Sequence, residues 1–158
     1  MSLDVRVGYY SLSGATRDCD AALPENITAG ALTHINLAFA GISEDFEITD
    51  DDGPIVARVS RLKKKHASLR ISIAIGASLL QPWEQECSDW HTYIYAGGWV
   101  FNDPPTQNRF SDMASAQPNR EKFIASLVRY IRRYGLSSVD IGMIWLLILI
   151  YILGNVLM

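Results

Sequence analysis

Four short apolar runs, separated by loops and helix-forming segments, constrain the fold of this chain more than any other feature. Residues 5–10, 34–40, 69–75 and 138–141 are rich in β-branched, aromatic and other apolar side chains and have the length of β-strands. In the third run, the residues at every second position form an almost unbroken apolar series. This is typical of a strand that is buried in a parallel sheet. We therefore predict four strands.

Two segments between these runs have the periodicity of amphipathic helices, and residues 21–31 have weak helical character. Residues 54–62 follow three consecutive aspartates, which favour the positive end of a helix. Residues 118–134 carry one apolar stripe, and Gly135 is expected to cap this helix. Alternating strands and helices predict an α/β fold with a parallel sheet, completed as a doubly wound layer or as an eightfold barrel. The pattern alone does not choose between the two.

The composition narrows the classes of partner and cofactor. The chain of 158 residues is 49% hydrophobic and has a formal net charge of −3, which predicts one globular domain and no nucleic-acid partner. No phosphate-binding glycine loop opens a predicted helix, so we expect no nucleotide. Cys19 and Cys87 have no Cys or His partner at metal-ligand spacing. We expect neither a cofactor nor a metal site.

Five motifs follow one another along the predicted strands and helices. They are VGYY at 7–10, THINLAFA at 33–40, SIAIG at 72–76, GGWVFNDPPTQNRFSDMA at 97–114 and NREKFIASLVRYIRRYGLSSVDI at 119–141. In this order they resemble the chitinases of glycoside hydrolase family 18, of the fungal class V type. Several motifs that occur in the family's order along the predicted strands and helices are a stronger signal than any single motif.

The resemblance implies a TIM (β/α)8 barrel with its site at the carboxyl ends of the strands. Such a barrel needs about 250 residues. We therefore expect residues 1–141 to form the N-terminal half of the barrel, about strands 1 to 4, and the barrel to be incomplete. The resemblance also implies the family's activity, hydrolysis of β-1,4-N-acetylglucosamine linkages in chitin.

The family's acid motif in the fourth strand is Asp-x-x-Asp-x-Asp-x-Glu. The resemblance implies that its Glu protonates the glycosidic oxygen and that the preceding Asp orients the acetamido group of the substrate. Here Ser137, Gly142 and Ile144 occupy the first, third and last acidic positions, and Asp140 is the surviving member. Because a hydrocarbon side chain cannot donate a proton, we predict that the chain is inactive.

Two segments have no counterpart in the resemblance. Residues 77–97 separate the third strand from the glycine and tryptophan that follow it directly in the family. A substrate-lid loop and an intron translated in frame both explain this insert, and the second is favoured because so long a structureless loop is uncommon. Residues 142–158 form an apolar tail without charge, for which an unspliced segment is favoured and a membrane anchor is the alternative.

The cellular location stays open. The first ten residues lack the pattern of a signal peptide, whereas members of the resembled family are usually secreted. Asn26-Ile27-Thr28 is an N-glycosylation sequon, which would matter in a secreted protein.

The resemblance also implies which aromatic residues bind sugar. Tyr10 and Phe39 at strand ends and Trp99 after the glycine pair match the family's sugar-binding surface, since aromatic rings stack on pyranose rings. For Phe39, ordinary core packing is an equally good interpretation. The expected partners are chitin or N-acetylglucosamine oligomers. Three functions remain open: an inactive chitinase-family polypeptide, a non-catalytic chitin or glycan binder, and a membrane-tethered fragment.

Overall fold

The structure is a computed structural model, and it describes residues 4–18, 20–76 and 105–141. The predicted insert at 77–97, Trp99 and the apolar tail at 142–158 lie outside the described residues.

Four strands form one parallel sheet: β1 (Val7–Ser11), β2 (His34–Ala40), β3 (Arg70–Ile75) and β4 (Ser138–Ile141). All four predicted strands are confirmed, with small shifts at the ends of β1 and the start of β3. The spatial order β1-β2-β3-β4 follows the chain without a reversal. A doubly wound sheet requires such a reversal, whereas a barrel adds each strand beside the last. The order therefore favours the barrel.

In the described part of the chain, three α-helices lie between the strands: α1 (Gly53–Ser60) between β2 and β3, and α2 (Arg109–Ser115) and α3 (Gln117–Tyr134) between β3 and β4. α3 ends at Gly135, whose φ of 63° is the left-handed conformation that glycine adopts without a steric cost. This confirms the predicted cap. Among the residues that the structure describes, no helix combines the length and apolar character needed to cross a membrane.

The weak helix predicted at residues 21–31 is wrong. The structure has two short 3-10 turns there, Pro24–Asn26 and Ala29–Ala31, each followed by a residue in extended conformation. Pro24 suits a first turn, but Gly30 disfavours a continuous helix because its backbone loses more entropy on ordering than that of other residues.

One face of the sheet packs against the helices and forms the core. Its strand residues are fully or almost fully buried, as are the apolar residues of α1 that cover them. This group comprises Ile35, Leu37, Ile71, Ile73, Val56 and Val59. Because successive side chains of a strand point to opposite faces, the strand residues that alternate with this buried set lie on the other face.

Candidate functional site

The sheet face turned away from the helices carries small and polar side chains. Strand register places Tyr9, Asn36, Ser72 and Ser138 in one row across the four strands. The next row towards the carboxyl ends contains Ser11, Ala38, Ala74 and Asp140. We call these two rows the polar face.

Asp140 connects three of the four strands through its side chain. Its Oδ2 accepts a hydrogen bond from the Tyr9 hydroxyl at 2.6 Å and another from Asn36 Nδ2 at 3.1 Å. Between them on β3 stands Ala74, the register partner of Asp140. A methyl group at this position leaves the space that the longer side chains of β1 and β2 need to reach β4.

The contact between Tyr9 and Asp140 indicates that the sheet curves towards the polar face. Three strand spacings separate β1 from β4, about 14 Å in a flat sheet. Two side chains that project perpendicular to a flat sheet could not meet over this distance. The polar face is therefore concave, as the inner face of an eight-stranded barrel is.

Asp140 also determines the protonation of Tyr9. The pKa of Tyr9 lies above its ordinary value, first because the protonated phenol donates to Asp140, an effect that Asn36 partly opposes. Since the ordinary tyrosine pKa is already about 10, Tyr9 is a neutral donor at physiological pH. Within the described part of the chain, Oδ1 of Asp140 makes no hydrogen bond. This oxygen can accept a hydroxyl or amide hydrogen from a ligand.

Phe39 lies at the carboxyl end of β2. The register of β2 against β3 shifts between Ala38 and Ala40, so that Phe39 is the extra residue of an irregularity, and its peptide bond to Ala38 is cis. The ring is partly buried and covers Gly76, where an added Cβ would come within 2.9 Å of it. Phe39 thus lies at the end of the sheet where the site of a barrel is expected.

Tyr10 lies on the opposite face from Asp140. It pairs with Leu37 in the strand register and is 8% exposed. Its hydroxyl donates to the Ala22 carbonyl, and burial raises its pKa. The predicted sugar-binding role of Tyr10 stays a prediction, although its ring is in the helix-packed core. Its neighbour Tyr9 is 63% exposed on the polar face.

Tyr9 and Asn36 were not predicted as site residues from the sequence. The signal that could have found them is the two-residue period of a strand, since Tyr9 follows Val7 on one face of β1 and Asn36 follows His34 on the same face of β2. Trp99 lies outside the described residues. Within the described ranges, no three His, Cys, Asp or Glu residues are grouped so that they could hold a metal ion.

Comparison with known proteins defines the class to which this sheet belongs. The family model for glycosyl hydrolases family 18 matches residues 5–146. This match covers most of the chain and includes all four strands. The chain therefore belongs to glycosyl hydrolase family 18.

Individual relatives agree with this assignment. A protein from Penicillium expansum described as "Probable chitinase LysM11" is 26% identical over 135 residues, which are 85% of this chain and 10% of that protein. The chain spans between 10% and 22% of the length of the first five curated relatives.

Solved structures show the same fold. A family 18 chitinase mutant from Cycas revoluta, in complex with (GlcNAc)4, matches with a TM-score of 0.62 and 18% identity over 87% of this chain and 33% of that one. Human YKL-39, described as a pseudo-chitinase with retained chitooligosaccharide binding properties, matches with a TM-score of 0.58 and 21% identity over 86% and 31% of the two chains. The four-stranded sheet thus has the arrangement of part of a TIM barrel, and the barrel is not closed by the described strands.

Proposed function

We propose that this family 18 chain binds chitin oligomers through its polar face and does not hydrolyse them. The observation that carries the proposal is Asp140, a carboxylate held by Tyr9 and Asn36 on the concave side of the sheet, in a motif whose final acidic position is Ile144.

Recognition of the sugar is supported by the chemistry of the polar face. Its free carboxylate oxygen, its amide and its hydroxyl groups are the donors and acceptors that a carbohydrate needs. The Cycas revoluta chitinase was crystallised with a four-sugar oligomer, and human YKL-39 is described as retaining chitooligosaccharide binding without being a true chitinase. Both proteins share the fold of this chain, and we therefore propose that this chain also binds such oligomers.

The lack of hydrolysis rests on the residues at the acid positions. The family match extends through residue 146 and so includes the stretch that we align with the acid motif. Ile144 cannot act as a general acid, an effect that contributes about 10²–10⁴-fold to catalysis. Gly142 replaces the Asp that would orient the acetamido group of the substrate. Both losses affect the same step.

Phe39 and Trp99 complete the proposed surface. Phe39 is at the carboxyl end of β2, where its aromatic ring would contact a sugar ring that is bound on the polar face. Trp99 is included on the resemblance to the family alone. Asp140 serves as an acceptor for the sugar, with Tyr9 and Asn36 as the residues that position it.

Binding of a chitin oligomer, measured by isothermal titration calorimetry, tests this proposal. We expect Asp140→Ala to weaken the affinity by about tenfold, which corresponds to about 1.4 kcal/mol for a charged hydrogen bond. Tyr9→Phe should weaken it by about two- to tenfold, because Asp140 loses one of its two positioning contacts.

Tyr134→Phe is the matched control. Tyr134, the last residue of α3, also donates its hydroxyl to a carboxylate, that of Asp50 ahead of α1, and this contact lies away from the polar face. The affinity of the variant should equal that of the unaltered chain. A folded chain that does not bind the oligomer, or equal losses in the Tyr9 and Tyr134 variants, would contradict the proposal.

A further inference from the structure

We propose that Asn26 is a site of N-linked glycosylation when the chain enters the secretory pathway, with Thr28 as the hydroxyl residue of the acceptor sequence. The inference is independent of the proposed sugar-binding function. It rests on how the first β-to-β connection presents Asn26, Ile27 and Thr28.

The two residues of the acceptor sequence that must be reached are on the surface. Asn26 and Thr28 are exposed, whereas Ile27 is partly buried and packs against the core. Ile27 has extended backbone angles, φ −66° and ψ 123°. The amide and the hydroxyl therefore both face solvent while Ile27 anchors the segment.

Neither side chain is committed to the fold. Within the described residues, the Asn26 amide and the Thr28 hydroxyl make no hydrogen bond, and Thr28 does not cap the turn that follows it. Replacing an amide hydrogen of Asn26 by a glycan therefore breaks no intramolecular contact. Most buried polar groups of a fold could not be modified without such a loss.

The turn that carries Asn26 lies beside α1, on the helix-covered side of the sheet. Pro24 is buried, and Glu25 accepts two hydrogen bonds from Arg58 of α1, from Nε at 3.0 Å and from Nη2 at 2.5 Å. This ion pair holds the turn against the helix layer. The helices cover the face of the sheet opposite to Asp140, so a glycan on Asn26 leaves the polar face open.

Only one asparagine of the sequence meets the acceptor rule. The chain has six asparagines, and Asn26 alone is followed by Ser or Thr at the second position after it, with a residue other than Pro between them. The modification would therefore give a single added glycan, which makes its measurement unambiguous.

The transfer is a substitution without redox change. The Asn26 Nδ2 atom forms a bond to the anomeric carbon of an oligosaccharide carried on a polyprenyl diphosphate. The bond between that carbon and the phosphate oxygen breaks, polyprenyl diphosphate leaves, and the amide gives up one proton. The oligosaccharide donor and its transferase are supplied by the secretory membrane.

The test is translation of the full chain behind a cleavable secretion signal in the presence of endoplasmic-reticulum microsomes. Only protease-protected chains are scored, and the readout is the mass lost on treatment with an N-glycosidase. We expect one glycan on the unaltered chain and on Thr28→Ser, and none on Asn26→Gln or Thr28→Ala. Asn108→Gln, which alters another exposed asparagine outside any acceptor sequence, should keep the glycan.

A second measurement tests whether the folded chain accommodates the glycan. Purified glycosylated chain and the Asn26→Gln variant should have the same thermal midpoint. Protease-protected chains without a glycan would overturn the proposal. A lower thermal midpoint for the glycosylated chain would contradict the argument that the Asn26 side chain is free in the fold.

Discussion

Asp140 joins β1, β2 and β4 through one carboxylate oxygen, and the hydrogen bond that it accepts from Tyr9 raises the pKa of that tyrosine. The raised pKa means that the protonated phenol is the form that the folded chain favours. Its stabilising contribution is complete below the ordinary tyrosine pKa of about 10 and is lost as the pH rises through the higher folded value. The polar face thus keeps its hydrogen bonds at neutral pH.

We expect Asp140→Asn to lower the pKa of Tyr9 towards its ordinary value. The substitution replaces the carboxylate that accepts the hydrogen bond of the protonated phenol by a weaker amide acceptor, and it also removes the negative charge that penalises the phenolate, while the shape of the side chain is kept. The measurement is a pH titration of ¹³C-labelled tyrosine by NMR, with the Tyr9 signal assigned from Tyr9→Phe. Tyr134, whose pKa is raised by desolvation and then by Asp50, should titrate as before. An unchanged Tyr9 titration would show that the two side chains do not interact in solution.

The two adjacent tyrosines of β1 should respond differently to loss of their hydroxyl groups. Tyr10→Phe leaves the carbonyl of Ala22 without its donor and should lower the free energy of unfolding by about 1 kcal/mol, with oligomer affinity unchanged. Tyr9→Phe should have the smaller effect on stability, because Tyr9 is exposed, and the larger effect on affinity. Urea denaturation and calorimetry together check this. Loss of affinity in Tyr10→Phe would support the predicted sugar-binding role of Tyr10.

Tyr9 and Tyr10 show that a sequence motif does not determine which face of the sheet a residue lies on. The VGYY motif indicated an aromatic site residue, and alternation requires that its two tyrosines face opposite ways. Which of them faces the helices depends on how the strand packs, and a resemblance to a family does not supply that information when both positions are tyrosine. Asp140, in contrast, was found from motif spacing, and it lies on the polar face.

Among the elements, the connection between β2 and α1 is held to α2 and α3 by polar contacts. The Ile48 amide donates to Ser126 Oγ of α3 at 3.1 Å, and Arg109 of α2 donates to the Ile42 carbonyl at 2.9 Å. An isolated bridge pairs Ile42 with Ile48 within this connection. These contacts fix the segment that follows the carboxyl end of β2, and hence the surroundings of Phe39.

Ser126→Ala should lower the free energy of unfolding by about 1–3 kcal/mol. The serine is 6% exposed, and its loss leaves the Ile48 amide without an acceptor. Ser115→Ala, at an exposed serine of α2 whose hydroxyl bonds the Asp112 carbonyl, is the control and should change stability by less than about 0.5 kcal/mol. Chemical denaturation measures both. Equal effects in the two variants would mean that the connection is not held by Ser126.

The accuracy of the predicted elements followed the strength of their local signals. α3 was predicted well because its apolar stripe and Gly135 agree on where it lies and ends. α2, with seven residues, is too short to show a helical period in the sequence and was missed. The 3-10 turns at residues 24–31 were predicted as a weak helix, because both conformations tolerate the same residues over so few positions.

At the scale of the whole molecule, the order of the motifs predicted more than periodicity could. Strand and helix patterns allowed a layer or a barrel, and the resemblance to family 18 selected the barrel that the strand order and the solved structures support. The curvature of the sheet could not be predicted, because it depends on contacts such as that between Tyr9 and Asp140, which are 131 residues apart. The insert at 77–97 and the apolar tail at 142–158 stay predictions.

The most direct test of the proposed function is the fate of a chitin oligomer mixed with a stoichiometric amount of the purified chain, followed by mass spectrometry. We expect the oligomer to bind and to keep its full length, because Ile144 offers no proton to the glycosidic oxygen. Accumulation of shorter oligomers faster than in buffer, in proportion to the amount of chain, would contradict this.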